Sequence, residues 1–370
     1  MARKEWTLAE LIEGVRKGDR RALARAISLV EDGDPVAYPL VSELYPETGN
    51  AAVIGVTGAP GVGKSTLIAA LVAHVRAHDR TVGVVSVDPS SPFSRGALLG
   101  DRIRLADHFL DPGVYIRSMG TRGHLGGLAE ATLQAVLLLD ASGKDVVFVE
   151  TVGAGQSEVE VTGIADIVLL VLMPGSGDSV QALKAGIMEI PDVIAINKMD
   201  HPAAKTVLSE VRSIVGLAEP DDRPAILLTE AIRSENVAEL WTALEEHRGA
   251  LESDGRLEKR RRRNLAAEVF AVASSRAKAH LQAAVADDPE LQRVLTAVER
   301  RELDPLSAVR EIMEQVFQVR MDGGVRPVGS DPLAKDVRSD PAGHLGSDVA
   351  GHLGSDAGGH LGSDPTGLTP

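Results

Sequence analysis

The chain contains 370 residues, and its 39 Lys and Arg against 53 Asp and Glu give a formal net charge of −14. This acidic balance provides no chain-wide attraction for nucleic acid or for an anionic membrane surface, so we expect neither as a partner. The absence of cysteine excludes disulfides, thiolate metal sites and a cysteine nucleophile.

Residues 1–48 predict an N-terminal helical arm. Thr7 and Glu10 have the spacing of a capping box, and the apolar residues that follow Thr7 fall on one helix face. A second amphipathic helix is predicted from Arg20 to Glu31. This end of the chain lacks the apolar run of a signal peptide, and no stretch of about 18 apolar residues occurs anywhere. We therefore expect a soluble, cytoplasmic protein.

Residues 49–250 predict an α/β domain. Short apolar runs rich in Val and Ile alternate there with helical patterns, and runs without alternating polar positions are typical of parallel strands buried on both faces. This order of elements predicts a phosphate-loop type of fold with a mostly parallel, doubly wound sheet. The predicted strands are Val53–Val56, Val82–Val87, Val146–Val149, Ile167–Leu172, Val193–Ile196 and Ala225–Leu228.

Residues 251–322 predict a C-terminal helical extension, interrupted near Asp287–Pro289 and Asp304–Pro305. Its apolar residues recur at helical spacing and exceed what a lone hairpin can bury, which predicts contact with a second copy in a homodimer. The basic run from Lys259 to Arg263 is interpreted as the solvated start of a helix.

Residues 323–370 predict a disordered tail, since they lack aromatic residues and are dominated by Gly, Pro, Ser and Asp. A unit containing Ala or Gly, then Gly-His-Leu-Gly-Ser-Asp, repeats every eight residues and places His344, His352 and His360 in register. A metal-binding tail is the alternative interpretation. Singly spaced histidines in a flexible chain offer no preformed site, so we do not expect a physiological metal role.

A phosphate-binding loop is predicted between the strand Val53–Val56 and the apolar helix Leu67–Val75, where the pattern G-x-x-x-x-G-K-[ST] occurs. Its glycines let successive backbone N–H groups turn inward, and the helix N-terminus adds its dipole, so the loop can surround a polyanion. Lys64 would reach the β- and γ-phosphates, and Ser65 would place its hydroxyl on Mg²⁺. The predicted cradle comprises Gly58, Ala59, Pro60, Gly61, Val62, Gly63, Lys64, Ser65 and Thr66.

A guanine-recognition motif, N-K-x-D, is predicted at the end of the strand Val193–Ile196, where Asn197, Lys198 and Asp200 occur. The Asp200 carboxylate would accept hydrogen bonds from N1–H and the exocyclic amine of guanine, groups that adenine does not present in the same way. The motif thus favours GTP over ATP. Backbone N–H groups of a second loop would meet the guanine O6, and that loop is Thr229, Glu230 and Ala231.

Four residues are candidates for hydrolysis and metal binding. Asp88 ends the second predicted strand and could orient the attacking water beside the γ-phosphate. Glu150 ends the strand Val146–Val149 and begins a glycine-containing loop that is typical of a nucleotide switch. Asp101 is a further metal carboxylate candidate, so the predicted metal ligands are Ser65, Asp101 and Glu150. Gln156 could also position water, although it stands two residues later than in small signalling GTPases.

Taken together, these motifs resemble the GTPases that accompany adenosylcobalamin-dependent methylmalonyl-CoA mutase, a metalloenzyme-chaperone branch of the phosphate-loop GTPases. The resemblance runs from about Thr7 to Asp322 and excludes the repeat tail. Its most specific stretch is Arg117 to Gly127, because general phosphate-loop proteins lack it. The matching stretches are 58–66, 87–92, 100–102, 116–127, 150–157 and 197–200.

The resemblance implies a homodimer joined through the C-terminal extension, in which GTP hydrolysis gates cofactor loading and protection of the mutase or of a related cobalamin-dependent acyl-CoA mutase. It also implies an additional switch at residues 174–184, with Asp178 and Lys184 as its polar contacts and Lys184 among the catalytic residues. Bound GTP or GDP with Mg²⁺ is expected.

Two alternatives remain open at this point. A nickel- or other metal-insertion GTPase of the same branch is weakly favoured by the histidines of the tail, but such proteins generally present a cysteine-containing metal site. A small-molecule kinase could use the same phosphate loop. Asn197 to Asp200 argues against a kinase, because that motif selects guanine.

Overall fold

The computed structural model of the chain describes residues 6–88, 105–120, 127–151, 163–175, 191–217 and 223–317. Its first three helices are α1 (Leu8–Arg16), α2 (Arg20–Glu31) and α3 (Ala37–Leu44). The predicted capping box is confirmed: the Thr7 side chain accepts from the Glu10 N–H, and the Glu10 side chain accepts from the Thr7 N–H. The predicted bounds of α2 are also confirmed, whereas α3, a short helix that contains a proline, was not predicted.

A parallel sheet of seven strands forms the centre of the fold, in the order β3-β2-β4-β1-β5-β6-β7. All six predicted strands are confirmed, three of them with their predicted bounds. The seventh strand, which sequence analysis missed, lies at one edge of the sheet and contains Arg117 and Ser118. The strands are β1 (Ala52–Thr57), β2 (Val82–Asp88), β3 (Val114–Gly120), β4 (Val146–Thr151), β5 (Ile167–Leu172), β6 (Val193–Ile196) and β7 (Ala225–Leu228).

Helices cover both faces of this sheet, which confirms the predicted doubly wound α/β fold. On one face, α1 to α3 and α5 (Gly127–Ala141) share an apolar core with β1, β2 and β4, and α6 (Ala204–Val215) packs on β5 and β6. On the other face, α4 (Lys64–Arg76) and α7 (Val237–Ser253) enclose a second core. The alternating side chains of β1 show the division, since Val53 faces the first core and Ile54 the second.

Three further helices follow: α8 (Arg256–Asp287), α9 (Pro289–Glu299) and α10 (Pro305–Phe317). They confirm the predicted helical extension and its two interruptions. Residues through Ile312 belong to one compact unit. The domain boundaries at residues 48, 250 and 322 stay predictions, and the repeat tail lies outside the described residues. Within the described ranges, the structure contains no helix long and apolar enough to cross a membrane.

The interpretation of the basic run as solvated was wrong for two of its residues. Arg260 forms a bidentate pair with Asp192, with Nη1–Oδ2 and Nη2–Oδ1 distances of 2.6 and 2.8 Å. Arg261 does the same with Asp166, at 2.6 Å for both Nε–Oδ1 and Nη2–Oδ2. These aspartates directly precede β6 and β5, so the start of α8 is attached to the amino edge of the sheet. Spacing along the sequence could not show which groups lie opposite the arginines.

Candidate nucleotide-binding site

The predicted phosphate loop connects β1 to α4 and requires glycine at two of its positions. Gly58 has φ +139°, and a Cβ there would lie 2.2 Å from the carbonyl oxygen of Val171 in β5. Gly63 has φ +99°, and a Cβ there would lie 2.4 Å from Nδ2 of Asn197. A side chain would therefore displace the neighbouring strand or the base-recognition loop. These glycines fit the loop against groups more than 100 residues away in sequence.

Lys64 and Ser65 begin helix α4, and both are nearly buried, at 7% and 4% exposure. Lys64 Nζ donates to the carbonyl oxygens of Gly58 and Ala59, at 2.6 and 3.2 Å. The ammonium group thus lies across the loop beside the helix N-terminus, where partial positive charge and backbone N–H groups favour an anion. A phosphate chain in this loop would meet a positive charge already positioned by the loop's own backbone.

Glu150 places a buried carboxylate beside this helix terminus. It is the fifth residue of β4 and is paired in register with Val56 of β1 and Ser86 of β2. Ser65 Oγ donates to Glu150 Oε1 at 2.6 Å, and Ser86 Oγ donates to Oε2 at 3.3 Å. A hydroxyl and a carboxylate are the hard oxygen donors that Mg²⁺ prefers, so this donor set fits the predicted ion. Sequence analysis missed Ser86, whose signal is a single hydroxyl in the otherwise apolar centre of β2.

Asn197 connects the base-recognition motif to the phosphate loop. Its Nδ2 donates to the carbonyl oxygen of Val62 at 2.9 Å, and its Oδ1 accepts from the Ala231 N–H at 3.1 Å. Lys198 has φ +58°, and its Nζ donates to the carbonyl oxygen of Gly61 at 3.1 Å. One buried amide and one exposed ammonium therefore join loops that follow β1, β6 and β7. The exposed carboxylate of Asp200 lies three residues after Asn197 in the same loop.

The second predicted base-contact loop follows β7 and is held by backbone hydrogen bonds. The Thr229 N–H donates to the Ile196 carbonyl at 2.9 Å, and the Met199 N–H donates to the Thr229 carbonyl at 3.0 Å. Glu230 and Glu235 exchange backbone hydrogen bonds, both at 3.1 Å, which closes the turn after Thr229. The N-K-x-D loop and residues 229–231 thus lie together at the carboxyl edge of the sheet, where open α/β sheets bind ligands.

The remaining predicted site residues are only partly placed. The backbone of Asp88 ends β2 at this same edge and is paired with Gly120 of β3. Asp101, Gln156, Asp178 and Lys184 lie outside the described residues. Pro60 is exposed and Thr66 half-buried at the mouth of the phosphate loop. The structure therefore brings together the phosphate loop, Glu150 and both base-contact loops.

One family model and several known proteins match this chain over most of its length. The family model described as "Methylmalonyl Co-A mutase-associated GTPase MeaB" matches residues 23–286. A putative GTPase of Pyrococcus abyssi is 45% identical over 314 residues, which is 83% of this chain and 96% of that protein. GTPase ArgK of Escherichia coli is 34% identical over 320 residues, which is 84% of this chain and 97% of that protein. The crystal structure of a LAO/AO transport system kinase matches with TM-score 0.65 and 29% identity, over 86% of this chain and all of that one.

Proposed function

The chain belongs to the methylmalonyl-CoA mutase-associated GTPase family MeaB and is a GTPase, and we propose that its hydrolysis of GTP gates cofactor loading and protection of an adenosylcobalamin-dependent mutase. The observation that carries this proposal is the family match over residues 23–286. The partner proposed is methylmalonyl-CoA mutase or a related cobalamin-dependent acyl-CoA mutase. The nickel-insertion alternative has no comparable support from any contact described above.

The proposed roles at the phosphate end follow from the contacts of Lys64 and Ser65. Lys64 Nζ donates to the loop carbonyls of Gly58 and Ala59 at 2.6 and 3.2 Å, and it can exchange these hydrogen bonds for bonds to oxygens of the β- and γ-phosphates. Ser65, Glu150 and Asp101 would hold Mg²⁺, which when bound neutralises phosphate charge. Ser65 Oγ can donate to Glu150 and still offer a lone pair to the ion. Asp88 orients the attacking water, with Gln156 and Lys184 as further catalytic candidates.

Guanine recognition is assigned to Asp200, supported by the way its loop is held. The loop is fixed to the phosphate loop through the amide of Asn197 and the ammonium of Lys198. Because this loop is fixed relative to the phosphate loop, the Asp200 carboxylate can select guanine, which offers two donors to it. Adenine cannot form the same hydrogen bonds. Buried Thr229 and Ala231 hold the backbone that would face the guanine O6.

Dimerisation through α8 is the proposed basis for communication with the mutase. Val269 and Phe270 are 65% and 73% exposed on this helix, an unusual position for two large apolar neighbours. We expect Phe270→Glu to give monomers in light scattering, whereas Leu217→Glu, which changes a leucine 88% exposed just after α6, should not. Removal of residues 324–370 should leave the dimer intact. An unchanged dimer in the Phe270 variant would refute this interface.

The partner is tested by titrating the purified GTPase with methylmalonyl-CoA mutase from the same source, with and without adenosylcobalamin. We expect a complex by analytical ultracentrifugation, faster GTP hydrolysis in its presence, and cofactor transfer that depends on hydrolysable GTP. The Lys64→Ala variant serves as the control that cannot couple hydrolysis to transfer. If neither form of the mutase binds or alters hydrolysis, the chaperone role is wrong while the GTPase activity stands. Stimulation by a nickel enzyme instead would favour the alternative.

A further inference from the structure

Two histidines lie four residues apart at the carboxyl end of α4. His74 is half-buried and His78 is exposed. The His78 N–H donates to the carbonyl oxygen of Val75 at 3.1 Å, so the helical turn continues to His78. Residues four apart on a helix lie on one face, one above the other. Both imidazoles therefore lie on the same side of this helix end.

The two rings have the spacing of ligands that share one metal ion. Their centroids are 4.7 Å apart, and their planes are inclined by 50°. Two imidazoles in adjacent positions around one metal, each with a metal–nitrogen distance of about 2.0–2.1 Å, place their ring centroids roughly 4.5–5.2 Å apart. The observed separation lies within this range, so the rings need little movement to reach a common ion.

A hydrogen bond at His78 fixes which of its ring nitrogens can bind a metal. Nδ1 of His78 lies 2.9 Å from the carbonyl oxygen of His74. Because a carbonyl oxygen only accepts, Nδ1 carries the proton and donates it, and Nε2 of the neutral ring keeps its lone pair. Histidines that bind metals usually donate their other N–H to a carboxylate or a backbone carbonyl, which fixes the tautomer and the ring orientation. His78 has this supporting hydrogen bond.

The surroundings of the pair are compatible with a cation. Backbone carbonyls at the carboxyl end of a helix carry partial negative charge. The guanidinium of Arg80, which lies 5.3 Å from the ring centroid of Trp241, is paired with Glu245 at 2.5 Å, so its charge is offset. In the described part of the chain, no cluster of three or more His, Asp or Glu side chains could hold a metal ion. Water would therefore complete the coordination around the two imidazoles.

We propose that His74 and His78 bind one late first-row divalent metal ion, such as Zn²⁺ or Cu²⁺, through one ring nitrogen of each imidazole. Imidazole suits these ions, whereas Mg²⁺ prefers oxygen donors. The site is separate from the predicted Mg²⁺ site, since Lys64 and Ser65 begin α4 and its 13 residues span roughly 20 Å. The proposal does not depend on the role proposed with the mutase.

Trp241 of α7 provides a local reporter of this site. Its ring centroid lies 6.5 Å from that of His74, and the chain contains two tryptophans. Because Cu²⁺ quenches the fluorescence of a nearby indole, Cu²⁺ bound by the pair should quench Trp241. The test uses the full chain saturated with GDP and Mg²⁺, with Trp6→Phe so that Trp241 alone is observed. The three histidines of the repeat tail are replaced by alanine, so that they do not compete for Cu²⁺.

The fluorescence titration has a defined expected result. We expect saturable quenching with one Cu²⁺ per chain, reversed by excess Zn²⁺ and not by excess Mg²⁺, because Zn²⁺ competes for imidazole nitrogen. Absence of saturable quenching, or equal reversal by Mg²⁺ and Zn²⁺, would overturn the proposal.

Substitutions test whether both imidazoles hold the same ion. His74→Ala and His78→Ala should each weaken Cu²⁺ binding about 10-fold or more, and the double variant should be little weaker than either, because each imidazole strengthens the binding of the other. His280→Ala, which removes an exposed histidine of α8, is the matched control and should leave the titration unchanged.

Electron paramagnetic resonance provides a measurement that needs no folded variant. Cu²⁺ bound to the chain with the pair intact should show two coordinated imidazole nitrogens. Quenching that survives both single substitutions, or a spectrum with a single coordinated imidazole, would refute the site.

Discussion

Acidic residues lie at both edges of the sheet, but their partners differ in charge. At the carboxyl edge, Glu150 accepts hydrogen bonds from the neutral hydroxyls of Ser65 and Ser86. At the amino edge, Asp166 and Asp192 meet guanidinium groups in bidentate pairs. A carboxylate whose partner is a hydroxyl can still share a cation with that hydroxyl, whereas one neutralised by arginine is committed to the fold. For these three residues, the charge of the partner distinguishes the carboxyl edge, the binding edge of the sheet, from the amino edge, its structural edge.

The largest expected effect comes from removing the cation of the binding edge. Lys64→Ala should lower the rate of GTP hydrolysis about 10³-fold or more, since the residue opposes the charge that develops on the transferred phosphoryl group. The midpoint of thermal unfolding should change little, because the side chain faces the loop. Phosphate release measures the first effect and calorimetry the second. Lys205→Ala, an exposed lysine on α6, is the matched control, and turnover equal to that control would refute the phosphate site.

Substitutions of Asp88 and Glu150 should distinguish the orientation of water from the binding of metal at the same edge of the sheet. Asp88→Ala should lower kcat about 10²-fold with nucleotide affinity nearly unchanged, the scale of one positioned base. Glu150→Ala should instead raise the Mg²⁺ concentration needed for half-maximal hydrolysis. Initial rates measured across a Mg²⁺ titration distinguish the two. Identical profiles for both variants would mean that the roles are assigned wrongly.

At the structural edge, Arg260→Leu should lower the free energy of unfolding by about 3 kcal/mol, since it leaves the buried carboxylate of Asp192 without its guanidinium. The value of kcat should not change. Arg262→Leu is the matched control, because Arg262 lies on the same helix with its side chain 76% exposed. Urea unfolding of both variants is the measurement, and equal losses would show that the Asp192 pair contributes nothing specific.

The same pair gives a pH dependence with a defined sign. Burial opposes ionisation of Asp192, but hydrogen bonds from His247 and Arg260 hold the pKa of its carboxyl below the usual value. A carboxyl with a lowered pKa in the folded state contributes stability above its unfolded pKa, about 3.9, and loses it as the pH falls through the folded pKa. The stability difference between wild type and Asp192→Asn should therefore shrink below about pH 4. A difference that grows on acidification would contradict this account.

The phosphate loop and six of the strands were predictable because their signals are local. The G-x-x-x-x-G-K-[ST] pattern and the uninterrupted apolar runs each lie within a few consecutive residues. Strand β3 was missed because Arg117 interrupts its apolar pattern. In the structure, Arg117 pairs with Glu31 of α2, and its Nε donates to Oε1 at 2.8 Å. Glu31 lies 86 residues earlier in the chain, so the sequence around Arg117 gave no sign that a strand could accommodate this charge.

Contacts between residues far apart in the chain could not be predicted, because sequence patterns report only on neighbouring residues. Asn197 was predicted as part of a base-recognition loop, but nothing in that tetrapeptide indicates that its amide reaches Val62, 135 residues away. Arg260 and Arg261 were interpreted as solvated because a basic run usually is, and their partners lie 68 and 95 residues earlier. Residue type and spacing predicted which groups matter at the carboxyl edge. The structure was needed to show which charged residues form ion pairs at the amino edge.

The most direct test of the carboxyl edge as a guanine-nucleotide site is competition binding of GTP, ATP and xanthosine triphosphate to the wild type and to Asp200→Asn. The account predicts that GTP outcompetes ATP in the wild type, and that the variant loses affinity for GTP while gaining affinity for xanthosine triphosphate, whose C2 carbonyl can accept from the new amide. If ATP competes as well as GTP in the wild type, or if the substitution leaves the preference for guanine unchanged, Asp200 does not select the base and the proposed site is wrong.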